Sequence, residues 1–157
     1  MLLPYNAKSA TKCLVGRQVV FIGDSTVRQV FFATLKHIDP LIQTTGEKHS
    51  DRTVVSKGVK FDFFWDPFLN TTKTDDLLNG RLGGIGAKPT MAVIGSGLWY
   101  LQQSSAGGMT IWQDKIDNVF SAVASGGSGA RAIADQVILL PVENAVEARM
   151  SPERRAT

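Results

Sequence analysis

The sequence predicts an α/β sandwich built on a mostly parallel sheet, and three observations carry that prediction. Short apolar runs at Val19–Ile22, Met91–Ile94 and Val137–Leu140 read as strands buried on both faces. Two longer stretches place apolar residues at helical spacing: Val27, Val30, Phe31, Leu35 and Ile38, then Trp112, Ile116, Val119, Phe120 and Val123. Strand and helix patterns alternate along the chain, as they do where parallel strands are joined by crossover helices.

Taken in order, residues 1–15 read as an irregular lead-in and 16–157 as one α/β body. The first helix ends at Asp39-Pro40, because proline restricts the residue before it. Thr44 to Lys57 is polar and reads as a loop. Val59–Trp65 alternates well enough for a strand, with Phe61, Phe63 and Trp65 on one face. A short helix and a Gly-rich loop follow over residues 73–88. Met91–Ile94 then runs into Gly95-Ser96-Gly97-Leu98-Trp99-Tyr100, where the glycines let backbone approach a ligand or simply make a turn. Ser125–Gly129 reads as a surface loop and Gln136–Leu140 as the fourth strand. Ser151-Pro152-Glu153 has the form of a helix start, with the proline at the first helical position. The apolar stripe of the Trp112–Val123 helix reads as core.

With 157 residues the chain has room for one domain with a real core. Hydrophobic residues make up 43% and charged residues 20%, the balance of a globular protein. A net charge of +3, with no basic stripe interleaved with aromatics, argues against a nucleic-acid partner. Arg149, Arg154 and Arg155 read as a solvated face of the terminal helix. Cys13 is the single cysteine, so no disulfide closes within the chain, and the spacing of a metal site is missing. The first residues lack the apolar core of a signal peptide, and no apolar run approaches the length of a membrane span. Asn70-Thr71-Thr72 is an N-glycosylation acceptor triplet at Asn70.

Gly23-Asp24-Ser25 stands between the first strand and the first helix. A strand feeding a helix through such a turn leaves a side chain at the carboxyl edge of the sheet, where open α/β folds hold ligands. Ser25 there lies among the unpaired N–H groups of a helix N-terminus, which suits a nucleophile with a backbone oxyanion hole. The same tripeptide is also an ordinary helix cap. A nucleophilic serine needs a base within hydrogen-bond reach. Of the two histidines, His37 lies 37 − 25 = 12 residues along the same helix, about 18 Å away at 1.5 Å per residue. His49 sits in the polar loop, and nothing in the sequence brings it to Ser25.

Several blocks together resemble one family. They are Cys13–Arg17 running into Phe21–Gln29, Gly46-Glu47-Lys48-His49, Phe61–Asn70, Val93–Leu101, and Leu140-Pro141-Val142-Glu143. In this order they resemble the lumenal catalytic domain of fungal capsule and cell-wall polysaccharide O-acetyltransferases. Those are relatives of the sialate O-acetyltransferases in the PC-esterase branch of the SGNH/GDSL superfamily. The first block is common to many GDSL-type proteins, whereas the tryptophan blocks are closer to this branch.

The resemblance implies a three-layer sandwich with a flavodoxin-like strand order. It implies that Ser25 takes acetyl from a donor (acetyl-CoA or a carrier derived from it) and passes it to a polysaccharide or glycan hydroxyl. Asp24 would support the turn, Gly97 would offer an oxyanion donor, and Arg28 and Trp99 would bind substrate. No bound cofactor is implied. The resemblance also implies the lumen of the Golgi or secretory pathway, with attachment to the membrane through segments that this chain lacks. The family's acid and base come from an Asp-x-x-His motif near the end of the domain, and this sequence contains none. The expectation is therefore a C-terminally truncated domain with an apolar face uncovered beside the sheet. As such it is either an enzyme part with negligible activity alone or a non-catalytic, carbohydrate-binding remnant. A carbohydrate esterase shares the same residues and differs in giving the acetyl group to water.

Overall fold

The computed structural model describes residues 6–82, 88–102, 108–125 and 132–141. In chain order the elements are α1 (Ala7–Leu14), β1 (Gln18–Gly23), α2 (Ser25–Ile38), β2 (Arg52–Ser56) and β3 (Val59–Trp65). They continue with α3 (Thr72–Leu78), β4 (Met91–Gly95), α4 (Leu98–Gln102), α5 (Gly108–Ser125) and β5 (Gln136–Leu139). The strands form one five-stranded sheet in the order β2-β3-β1-β4-β5. β1 pairs in parallel with both β3 and β4, and β4 with β5, while β2 runs antiparallel to β3 at the edge.

Alternation along β1 divides the core between two faces, because successive strand side chains point opposite ways. Val19 and Phe21 pack with Phe61, Phe63 and Val93 beneath Val27, Phe31, Leu35 and Ile38 of α2. Val20 and Ile22 pack with Ala92 and Ile94 against Leu77 of α3 and Val119 of α5. Helices therefore cover both faces of the sheet, and the expected three-layer α/β sandwich is what the chain forms. The four parallel strands follow the flavodoxin-like order. Among the described residues no helix is long and apolar enough to cross a membrane.

Three local expectations change. The lead-in is not irregular throughout: Ala7–Leu14 is a helix, capped by the Asn6 side chain accepting from the Ser9 N–H at 2.9 Å. The polar stretch 44–57 is not all loop, because Arg52–Ser56 is a strand. It turns into β3 through Lys57 and Gly58, both with positive φ (50° and 78°), the two-residue geometry that matches the twist of a hairpin. The α5 stripe is split: Val119 is fully buried, but Phe120 and Val123 are 55% and 41% exposed. The loops expected around 83–87 and 126–129 lie outside the described residues. So do the basic side chains at 149, 154 and 155 and the helix start at 151.

One buried carboxylate supports the β2–β3 hairpin. Asp62 accepts from Gln18 Nε2 and Thr53 Oγ1, each at 2.6 Å, and from Lys60 Nζ at 2.9 Å. Burial pushes its pKa up, but these bonds and the lysine charge outweigh that, and the carboxyl lies below its ordinary value.

Candidate active site

The carboxyl ends of β3, β1 and β4 are level, with Gly23 between Trp65 on one side and Gly95 on the other. Gly23 has φ +151°, and a Cβ there would lie 2.0 Å from the Gly95 carbonyl oxygen and 2.6 Å from Val27 Cγ2. The absent side chain lets α2 start directly above the junction of β1 and β4. Asp24 caps the helix: it is buried, and its carboxylate accepts from the Thr26 N–H at 2.9 Å. Ser25, the first helical residue, is part-exposed at this edge.

The loop after β3 is tied to the same junction. The Asp66 N–H donates to the Gly23 carbonyl at 3.0 Å. The buried Asp66 carboxylate accepts from the backbone N–H groups of Asn70 (3.0 Å) and Thr71 (2.8 Å) and from the hydroxyls of Thr71 and Thr74. Asn70 itself is exposed in the turn before α3. The loop after β4 bonds to this one. The Ser96 hydroxyl donates to the Pro67 carbonyl and the Tyr100 hydroxyl to the Phe68 carbonyl, both at 2.6 Å. Burial, with the Asp66 charge, raises the Tyr100 pKa above the ordinary phenol value and keeps it a donor. From α5, Trp112 Nε1 donates to the Ser96 carbonyl at 3.0 Å. Gly97 lies in this loop with φ +143°.

The antiparallel course of β2 brings a further residue to the edge. Because β2 starts beside the end of β3, the residues before it return to the carboxyl ends of the parallel strands. The Asp51 carboxylate accepts the Trp65 N–H at 2.8 Å and fixes that return. His49 then packs on Trp65 with ring centroids 4.5 Å apart, and meets Trp99 edge-on at 5.9 Å. Trp65 and Trp99 are themselves edge-to-face at 5.8 Å, and Phe68 lies 6.1 Å from Trp99. Arg28, one turn after Ser25 on α2, has its guanidinium carbon 5.8 Å from the Trp65 ring centroid.

Residues from four segments thus meet here: Arg28 of α2, His49 of the loop before β2, Trp65 and Phe68 around the end of β3, and Trp99 of α4. The sequence singled out Ser25, Asp24, Arg28, Gly97 and Trp99, and all five belong to this edge. His49 had no visible route to it. The signal that could have supplied one is the β-branched run Thr53-Val54-Val55 before Lys57-Gly58, which marks a hairpin strand. His37 stays three helical turns from Ser25. Among the described residues no hydrogen bond joins the Ser25 hydroxyl to either histidine, and no group of three or more His, Cys, Asp or Glu side chains is arranged to hold a metal ion.

No protein-family model matches the chain, and no solved structure matches it. Among curated proteins the chain is similar to the N-acetylneuraminate (7)9-O-acetyltransferase of Danio rerio, with 27% identity over 117 residues. That match takes in 74% of this chain and 15% of the relative. The chain is therefore similar to a small part of a much longer acetyltransferase.

Proposed function

We propose that the chain carries the nucleophile half of a serine-dependent O-acetyltransferase site that modifies sugar hydroxyls. The observation that carries this reading is the position of Ser25, part-exposed at the head of α2 on the carboxyl edge of β1. The similarity to an acetyltransferase supports acetyl as the group transferred. In this reading Ser25 Oγ attacks the carbonyl carbon of an acetyl donor, acetyl-CoA or a carrier derived from it. The hydroxyl proton goes to a base, and the donor's leaving group departs with a proton. A glycan hydroxyl then attacks the acetyl-enzyme, loses its own proton, and the serine is reprotonated as its ester bond breaks. Backbone N–H groups at the head of α2, with Gly97 as a second donor, would hold the oxyanion. Trp99 and Arg28 would bind the acceptor, which on this reading is a polysaccharide or other glycan in the secretory lumen. Asn70 would be glycosylated in the same compartment.

On this reading no base is hydrogen-bonded to Ser25 among the described residues. The sequence has no Asp-x-x-His, and no hydrogen bond joins Ser25 to His49. That second observation favours an alternative, a carbohydrate-binding module that keeps the edge without turnover. One experiment separates the readings. The purified chain is incubated with acetyl-CoA, or with a chromogenic acetyl ester, with and without a glycan acceptor, and then mapped by peptide mass spectrometry. The expected result is slow acetylation of Ser25, lost in Ser25→Ala, without sustained turnover. Sustained turnover abolished by Ser25→Ala would give the base role to His49 and sink the nucleophile-half reading. Saturable glycan binding with Ser25 never acetylated would favour the binding module, and release to water regardless of acceptor would make the protein an esterase.

A further inference from the structure

A cavity of about 570 Å³ lies at the amino ends of β1, β4 and β5, the opposite end of the parallel strands from Ser25. One wall is α1, which presents Ala10, Cys13 and Leu14 at the i, i+3, i+4 spacing of a single helix face. Met91, the first residue of β4, forms the floor beside Gln136 of β5. Strand alternation carries this surface further along β5. Ile138, paired with Val93, points the same way as Gln136 and is 43% exposed, about 7 Å farther along the strand. The charges stand on the rim. Lys88 and Asp135 neutralise each other in an ion pair at 2.9 Å. Arg17 borders the cavity where α1 passes into β1, and among the described residues no carboxylate pairs with it. Its backbone is fixed there, the N–H donating to the Leu14 carbonyl at 2.9 Å and the carbonyl accepting from the Lys60 N–H at 3.0 Å. The mouth therefore keeps one net positive charge. Small-molecule sites have this form, about 300–1,000 Å³ of largely apolar space with a few placed polar groups.

We propose that this cavity binds a straight-chain carboxylate, an amphiphile of the fatty-acid class. The carboxylate takes the two parallel N–H···O bonds that the Arg17 guanidinium offers. The chain crosses Leu14 and Met91 and runs on toward Ile138, and each methylene removed from water strengthens binding. The flexible thioether of Met91 lets the floor follow such a chain. An apolar track that continues along a strand from a cation at one end suits an unbranched chain better than a compact ring. The site uses neither Ser25 nor a base, so its occupancy is independent of acetyl transfer at the other end of the sheet.

Cys13 is the single cysteine of the chain and stands in the cavity wall, so its alkylation by iodoacetamide reports occupancy at this place. The full chain is titrated with decanoate, decylammonium and butyrate, each below its micelle-forming concentration. Cys13 alkylation is followed by mass spectrometry and the thermal unfolding midpoint is recorded alongside. Saturating decanoate is expected to slow alkylation about tenfold and to raise the midpoint, because it binds the folded chain. Butyrate, with too short a chain to reach Ile138, should bind about tenfold or more weakly. Decylammonium has the same chain but is repelled by Arg17, and should protect Cys13 less than decanoate. Arg17→Gln is expected to weaken decanoate about tenfold, whereas Arg17→Lys, which keeps charge but not the fork, retains part of the affinity. Ile138→Ser should weaken decanoate and leave butyrate unchanged. Equal protection by decanoate and decylammonium, or no protection by decanoate, overturns the proposal. So does a folded Arg17→Gln chain that binds decanoate as the parent does. A raised midpoint without protection of Cys13 would place the ligand elsewhere and overturns it too.

Discussion

Gly23 has φ +151°, and a Cβ there would meet the Gly95 carbonyl oxygen at 2.0 Å and Val27 Cγ2 at 2.6 Å. Two costs therefore act together on any substitution. One is a backbone conformation that residues with a side chain rarely adopt, and the other is overpacking against a strand carbonyl that cannot rotate away. Gly23→Ala is expected to cost about 2–5 kcal/mol as these add. The measurement is the urea unfolding midpoint at constant slope. Part-exposed Ser25, replaced by alanine, should stay within about 1 kcal/mol of the parent. A Gly23→Ala protein as stable as the parent would mean that α2 starts further from β4 than 2.0 Å to a Cβ implies. The same residue shows how far a sequence reaches. A glycine between an apolar run and a helix is legible as a turn, but its need for space comes from Gly95 and Val27, and no local pattern announces that contact.

At the scale of elements, the β2–β3 hairpin decides the composition of the site. Periodicity made β1, β3, β4, β5 and the helices α2 and α5 legible, because each buries an apolar face and so carries an apolar pattern. β2 has one sheet neighbour, β3, and its burial alternates between half-buried and exposed until Ser56. A five-residue edge strand buries little, so its β-branched run Thr53-Val54-Val55 stands out weakly against the polar residues before it. Missing it also concealed His49, since only the antiparallel return carries residues 47–51 to the carboxyl edge. The Asp51–Trp65 bond is the latch of that return. Asp51→Ala is expected to leave global stability within about 1.5 kcal/mol, because a single exposed hydrogen bond contributes little. It should nonetheless release His49 from Trp65. In the parent the His49 ring protons feel the indole ring current at a centroid distance of 4.5 Å, so their NMR signals are expected to be displaced from ordinary histidine positions. In Asp51→Ala they should move back. Signals that do not move would show that ring packing, not the carboxylate, holds the loop.

For the molecule as a whole, the apolar side chains of the two long helices are unequally covered. On the α2 face Phe31 and Leu35 are fully buried and Ile38 is 5% exposed. On the other face Val119 is fully buried but Phe120 (55%) and Val123 (41%) of α5 meet solvent, whereas Ile138 (43%) of β5, paired with Val93, turns to the α2 side. Among the described residues β5 is the last strand of the sheet, with β4 as its neighbour. Exposed apolar side chains are a site of association unless something covers them. The α5 pattern conceals this in sequence, since a stripe of Trp112, Ile116, Val119, Phe120 and Val123 looks the same whether all or half of it is covered. Stability and association should therefore come apart along one helix. Val119→Ala removes methyl groups from a filled core and is expected to cost about 1–3 kcal/mol. Phe120→Ser with Val123→Ser removes side chains that are 55% and 41% exposed, so each position should cost less stability than Val119→Ala. The same double substitution should lower binding of a hydrophobic dye such as ANS to the folded chain and reduce its concentration-dependent association in sedimentation velocity. Loss of stability comparable to Val119→Ala would mean that Phe120 and Val123 are covered in solution, and the face would then be part of the core after all.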